Sequence, residues 1–394
     1  MSYITKALQY EVKHVVQNAN CGPTLTEGHL RIAEPGAQID DPLLQTILAN
    51  YLAARRSPTP HNVGKHWNWF RDDFDRLIRT PEIWPRFRRM AVSFGFDDSL
   101  WYSESRPRPD QNPAMRSHRG PFVQAWQFNN KELRNHIRFI VKNGGLSAKR
   151  IQALGEAKIG DPGAQRFADF PAPIDYHDLS QVFFASSLER ALAGRPAWRI
   201  LEIGGGYGAL AAKLRRINAG SRLVLIDLPE TLAVQHWYLS SAMPGARLIG
   251  YQEYCNLGVQ SALEQADVLL LPPAAIAELP ARIFDAAINI RSFAEMTTDY
   301  VRFYVSEIER TLKKNGIFYY VNRLQKDSSG DLIRIEDTPF DDNWCLDNAH
   351  PLPWQPHIIE LVIRRATEAN PGWRKALGRL AAQPNQQKLR HEPR

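Results

Sequence analysis

From about residue 175 onward, short unbroken apolar runs alternate with longer stretches in which apolar residues recur every three or four positions. The runs Arg199–Ile203, Arg222–Ile226, Val268–Leu271 and Phe284–Ile290 read as strands. They are apolar throughout rather than alternating, as a parallel sheet covered on both faces requires. Ile317–Val321 and His357–Arg364 read as two further strands, and Ala246–Gly250 as a short one. Between them, Asp178–Leu192, a segment starting near Tyr207, Glu230–Ala242 and Thr298–Leu312 carry helical spacing. In the last of these, Val301, Tyr304, Val305, Ile308 and Leu312 form one stripe. Lys313-Lys314-Asn315-Gly316 supplies the cations and the glycine that stop it. Strand and helix in turn predict an α/β fold, a doubly wound and mostly parallel sheet over residues 175–370.

The first 165 residues show no such alternation. Pro42–Arg55 has a helical face of Leu44, Ile47, Leu48, Tyr51 and Leu52, ended by Ser57-Pro58-Thr59-Pro60. The aromatic and basic stretch His66-Trp67-Asn68-Trp69-Phe70-Arg71 continues to Phe74, Leu77 and Ile78. Aromatics mixed with arginine can stack bases or sugars, but this spacing also suits a core-facing helix, the preferred reading. Phe128–Leu146 looks helical up to Gly144-Gly145, and prolines at 162, 171 and 173 mark a linker. Residues 1–165 are therefore expected to be a mainly helical N-terminal domain, a cover over the C-terminal half or a site of homo-oligomerisation.

A length of 394 residues favours two domains over one. The net charge is +7, and in residues 371–394 Arg374, Lys375, Arg379, Lys388, Arg390 and Arg394 face only Glu392. A basic tail that stays solvated explains this better than a nucleic-acid surface, and anionic small molecules would also suit such a chain. Cys21, Cys255 and Cys345 are too scattered for a disulfide framework or a metal site, which points to a reducing cytoplasm. No stretch is long and apolar enough to span a bilayer, and the N-terminus lacks the apolar core of a secretion signal.

The stretch with most chemistry is Ile200-Leu201-Glu202-Ile203-Gly204-Gly205-Gly206-Tyr207-Gly208, with Asp227 closing the next strand. A strand, a glycine turn and a helix, then a second strand ending on an acid, build a nucleotide pocket. Gly204-x-Gly206-x-x-Ala209 formally fits a dinucleotide fingerprint, whose helix N-terminus would hold a pyrophosphate. S-adenosylmethionine fits the same turn and brings a ribose, an ammonium and a sulfonium. Glu202 favours the second ligand, since a carboxylate is unhelpful beside a pyrophosphate. Asp227 would accept both ribose hydroxyls.

Four segments carry a family resemblance: Leu201-Glu202-Ile203-Gly204-Gly205-Gly206-Tyr207-Gly208-Ala209-Leu210, Ile226-Asp227-Leu228-Pro229-Glu230-Thr231, Asn289-Ile290-Arg291-Ser292-Phe293-Ala294-Glu295-Met296 and Tyr319-Tyr320-Val321-Asn322-Arg323. Over residues 175–365 the chain resembles class I methyltransferases that use S-adenosylmethionine and, more narrowly, a bacterial sugar O-methyltransferase family. The resemblance implies a Rossmann-like domain, S-adenosylmethionine as methyl donor, and a sugar or glycan hydroxyl as acceptor. A hydroxyl or amine of another small natural product is the alternative acceptor. A dinucleotide oxidoreductase and a non-catalytic binding subunit are the alternatives of other classes.

Ligands of such sheets sit beyond the carboxyl ends of the strands. The cofactor-binding candidates are therefore Glu202, Gly204, Gly206, Tyr207, Asp227, Leu228, Pro272, Asn289 and Arg291. A sugar hydroxyl is a poor nucleophile, so a base or a cation near it should help. Glu295, Arg323, His350 and His357 are the catalytic candidates. Ser292 with Glu295 also has the spacing of a helix capping box, and Arg323 can bind a carboxylate or phosphate. His350 and His357 lie after Ile317–Val321 in a stretch expected to be a loop rich in Asp and Trp, where Trp344 or Trp354 could stack on a sugar; His177 and His236 rank behind them. No metal site is expected.

Overall fold

The computed structural model describes residues 36–58, 74, 78–89, 138–156, 158–160, 173–174, 176–328, 331–370 and 372–381. Helix α1 (Pro42–Arg56) starts where the Asp41 side chain accepts the Leu43 and Leu44 N–H groups, with Pro42 in the first turn. A 3₁₀ segment follows at Pro81–Arg89. Residues 138–143 are helical up to Gly144-Gly145, and α2 (Ala148–Leu154) is capped by Ser147. The aromatic stretch 66–71, residues 128–137 and the proline-rich segment 161–172 lie outside the described residues.

Then come α3 (Tyr176–Ala191), β1 (Arg199–Ile203), α4 (Ala209–Ile217), β2 (Arg222–Ile226), α5 (Pro229–Ala242), β3 (Leu248–Ile249), α6 (Tyr251–Leu257), α7 (Val259–Gln265) and β4 (Val268–Leu271). The remainder is β5 (Phe284–Ile290), α8 (Thr298–Thr311), β6 (Leu312–Arg323), the hairpin β7 (Gln325–Ser328) and β8 (Asp331–Arg334), β9 (Trp344–Leu352), β10 (Gln355–Arg365) and α9 (Gly372–Ala381).

Eight strands form one sheet in the order β3-β4-β2-β1-β5-β6-β10-β9. All neighbours from β3 to β6 are parallel, and β10 runs antiparallel to both β6 and β9. The expected doubly wound α/β sheet is thus present. Its two faces bury separate cores. Ile200, Leu223, Leu225 and Ile288 pack under α1, α3, α4 and α5 on one face. Leu201, Val224, Phe318 and Tyr320 pack under α7, α8 and α9 on the other.

Two expectations are corrected. The loop expected around His350 is the strand β9, whose ends Trp344 and Leu352 are buried while its middle is half-exposed. It is an edge strand, and its apolar signal is correspondingly weak. The tail expected to be solvated from residue 371 begins instead with α9, which buries Trp373 and Leu377 one turn apart.

The described N-terminal elements share the first core instead of forming one apart from it. Leu44, Ile47, Tyr51, Trp84, Phe87 and Ile151 belong to it. Arg55 pairs with the buried Glu230 of α5 at 3.0 Å, and the Asn50 side chain accepts the Gln252 N–H at the start of α6.

Candidate cofactor and acceptor cleft

From β1 the chain steps to β2 on one side, while β5 lies on the other. The carboxyl ends of β1 and β5 therefore flank the switch point where ligands of open α/β sheets bind. Gly204, at the end of β1, has φ +74° and donates its N–H to the Ile226 carbonyl. A Cβ there would stand 2.2 Å from Ser292 Oγ, so only glycine fits. Ser292 Oγ in turn donates to the Ile203 carbonyl at 3.2 Å and accepts from the Asn289 amide at 2.5 Å. The same amide donates to Ile203, and Asn289 Oδ1 accepts from Asn322 and from the Phe293 N–H. This buried knot ties the turn after β1 to the ends of β5 and β6. It commits the Asn289 side chain, which is fully buried, to protein partners. Ser292 does not cap a helix: the 3₁₀ turn Ser292–Glu295 has Arg291 at its N-cap position.

Over β1 and β2 the polar ends are acids. Glu202 is buried, and its Oε2 has no hydrogen-bond partner. Burial, and then the neighbouring charge of Asp227, push its carboxyl up to about 8. Asp227 is half-buried. It accepts the Leu228 N–H at 2.8 Å and the Gln235 amide at 2.9 Å, with the Thr231 hydroxyl and the Gly206 N–H also bonded to it. Burial still carries its carboxyl up to about 7, against the pull of those four donors. Gln235 also donates to the Gly206 carbonyl, so one α5 side chain braces both the turn and the acid. Leu228 is half-buried at the start of α5. Pro272 is buried at the end of β4, beside Asp227, whose N–H bonds the Leu271 carbonyl.

Over β5, β6 and β10 the polar ends are cations and imidazoles. Arg291 follows β5 with φ +69°, a left-handed conformation that non-glycine residues rarely adopt. Its N–H bonds the Val321 carbonyl of β6, and its side chain is exposed. Arg323 ends β6 opposite Ile358, and Leu324 donates its N–H to the carbonyl of His357. Burial, then the charges of Arg323 and Arg291, drive the His357 imidazole down to about 4. His177, on the first turn of α3, is held well below the usual histidine range by burial and then by Arg88, Arg291 and Lys213. Glu295 is half-buried at the end of the turn that starts with Ser292.

Tyr207 is buried rather than open to the cleft. Its hydroxyl bonds His177 Nδ1 at 3.1 Å, and the Arg88 guanidinium covers its ring at 4.8 Å. The Gln181 amide donates to His177 Nε2 at 3.3 Å, so as that amide is oriented Nδ1 carries the proton shared with Tyr207. Phe87 and Tyr238 pack edge-on against the Tyr207 ring. The 3₁₀ segment thus roofs the glycine turn from the N-terminal side.

The structure separates other candidates from this cleft. His350 sits on β9, four strands from β1, or roughly 19 Å at normal strand spacing. Its Nε2 lies 3.2 Å from the buried Glu360, which also accepts the Tyr319 hydroxyl at 2.5 Å. Neither tryptophan is open to a sugar: Trp344 is fully buried, and Trp354 packs edge-on against Phe183. Among the described residues, no three His, Cys, Asp or Glu side chains converge as a metal site. No helix among them is long and apolar enough to cross a membrane.

Sequence reasoning ranked His177 low and passed over Arg88, Thr231 and Gln235. The spacing of Thr231 and Gln235 was a usable signal. They stand four and eight residues after Asp227, one and two turns up the helix that opens behind it.

No family model matches the chain, and no curated protein matches it. Solved structures do. The Burkholderia thailandensis 1,6-didemethyltoxoflavin-N1-methyltransferase, with S-adenosylhomocysteine bound, is 19% identical over 48% of this chain and 84% of its own, with a TM-score of 0.30. The mitomycin 7-O-methyltransferase MmcR is 16% identical over 48% of this chain and 57% of its own, at 0.33. The pyocyanin biosynthetic protein PhzM is 15% identical over 62% of this chain and 78% of its own, at 0.34.

Proposed function

We propose that the chain is an S-adenosylmethionine-dependent O-methyltransferase. The observation that carries this reading is Glu202: a buried carboxylate with one unpartnered oxygen, beside a glycine turn and a second raised acid. Such a pair disfavours an incoming pyrophosphate and favours a cation, because positive charge between the two acids relieves both burial and mutual repulsion. The ammonium and sulfonium of S-adenosylmethionine fit that demand, and its ribose hydroxyls suit Asp227. Glu202, the backbone of Gly204 and Gly206, Asp227, Leu228 and Pro272 would hold it.

The bound cofactor supplies a methyl group already activated on a sulfonium, so the protein's main task is alignment. The knot of Ser292, Asn289 and Asn322 fixes the turn against β5 and β6. His177 and Arg88 hold Tyr207 in place above it. On the other side, Glu295 and His357 are the candidate bases for an attacking hydroxyl, although burial and the nearby arginines that keep the imidazole neutral also weaken it as a base. A sugar-bearing acceptor is the class that the motif resemblance supports.

Calorimetry with S-adenosylhomocysteine and with NAD tests the reading. Binding of the first at micromolar concentration, with no response to NAD, is the expected result. The reverse pattern would replace the methyltransferase by a dinucleotide enzyme.

A further inference from the structure

We propose that the β5–β6–β10 half of the cleft is an anion site centred on Arg291, so that the methyl acceptor presents a phosphate or carboxylate group there. The term acceptor rests on the methyltransferase reading; the anion site rests on the residues themselves.

Three observations carry it. First, the Arg291 guanidinium is exposed and has no hydrogen-bond or ion-pair partner among the described residues. It stands at the switch point, one residue past β5. Second, the backbone there is costly for an arginine: at φ +69° a glycine or asparagine would serve the turn at less strain. Strain held at a ligand edge points to a side chain kept for use. Third, Arg291 does not act alone. Its charge reaches His177 on α3 and His357 on β10, and Arg88 and Arg323 add theirs to one imidazole each. Arg291 therefore stands within electrostatic reach of both α3 and β10. The acids Glu202 and Asp227 lie on the β1–β2 side of the switch point, and Glu295 ends the turn that Arg291 begins.

Phosphate and carboxylate share the geometry that a guanidinium recognises, two acceptor oxygens side by side. A neutral sugar offers no such group. The two sources differ in charge and shape, so probes distinguish them.

The test is calorimetry on the full chain, with and without S-adenosylhomocysteine, using inorganic pyrophosphate, glucuronate and glucose as probes. Wild-type protein is expected to bind pyrophosphate or glucuronate and to ignore glucose. The tighter of the two probes identifies a phosphate or a carboxylate. Arg291→Gly suits the backbone and should fold, as a thermal melt will check. It should weaken the bound anion roughly tenfold or more, the worth of one charge-assisted hydrogen bond; Arg291→Lys should restore part of the loss. A second readout is the His357 ring proton followed by NMR across pH. Its titration should move to higher pH when the anion binds, and should not move in Arg291→Gly. Failure of both anions to bind, or binding indifferent to Arg291→Gly, overturns the proposal. S-adenosylhomocysteine in the same cell separates the two readings. If it binds and the anions do not, only the acceptor class falls. If it does not bind while pyrophosphate still depends on Arg291, the anion site stands and the methyltransferase reading falls.

Discussion

At the carboxyl ends of β1 and β2 the chain places two carboxylates, Glu202 and Asp227; across the switch point, at the ends of β5 and β6, it places the guanidiniums of Arg291 and Arg323. Both acids are raised by burial, and Glu202 also by the neighbouring charge of Asp227. The imidazoles near the arginines are lowered by burial and by positive charge. One sheet edge thus holds two fields of opposite sign, joined by the hydrogen bonds of Ser292 and Asn289. A cofactor that brings positive charge and an acceptor that brings negative charge would each find a complement, with the seam between them set by one glycine and one serine.

The largest effect should come from breaking that seam. Gly204→Ala adds a Cβ 2.2 Å from Ser292 Oγ at φ +74°. Overpacking and left-handed strain together should cost about 3 kcal/mol or more in chemical denaturation. Adding Ser292→Gly should recover the packing share and leave the strain, so complete recovery would show that the conformation at 204 is not strained.

Next is the acidic half itself. Asp227→Ala should weaken S-adenosylhomocysteine roughly a hundredfold by calorimetry, as expected for two lost charge-assisted bonds. Retained affinity would remove Asp227 from the ribose site. Glu202→Gln should weaken it roughly tenfold, the worth of one such bond, and should also change the proton balance.

The sign of that change follows from linkage. Each carboxyl has a folded pKa above its unfolded value, so each contributes most stability while protonated. Ligand-free protein should therefore lose stability as pH rises from about 4 through the folded values of about 7 and 8. Glu202→Gln should flatten the upper part of that slope. Cofactor binding should release protons near pH 7, seen as a dependence of the binding heat on buffer ionisation enthalpy. A binding heat independent of buffer would show that no carboxyl ionises on binding.

The smallest effect concerns the support behind the acids. Arg55 is 39% exposed and its partner Glu230 is 1% exposed. Arg55→Ala removes an ion-pair partner of a buried acid on α5, and solvent screening of the arginine limits the cost to about 1–2 kcal/mol. Loss of S-adenosylhomocysteine affinity beyond that of a distant surface control would show that α1 also positions Asp227. Unchanged affinity would confine α1 to stability.

Much of this layout was legible in the residues. The strands β1, β2, β4 and β5 fall on their predicted bounds because strands buried on both faces announce themselves as unbroken apolar runs. The acidic half was equally clear, since its acids flank a glycine turn. The basic half was clear only in part. Arg291 and Arg323 end strands and could be found, but His177 and Arg88 come together only through Tyr207, which α3 and the 3₁₀ segment each contact. Such long-range juxtapositions leave no local period. His350 misled for a related reason: it follows a strand in sequence, but β9 carries it to the far side of the sheet.

The weak signal of β9 has a consequence of its own. An open sheet ends in unpaired backbone groups that invite another chain to add on. This one ends on one side in β3, only two residues long. On the other it ends in β9, which is irregular in its pairing with β10 and carries Asp347, salt-bridged to Arg364, and a proline. The features that hid this strand among polar residues are those that discourage edge-to-edge aggregation, so smoothing β9 towards an ideal apolar strand should make the protein less soluble.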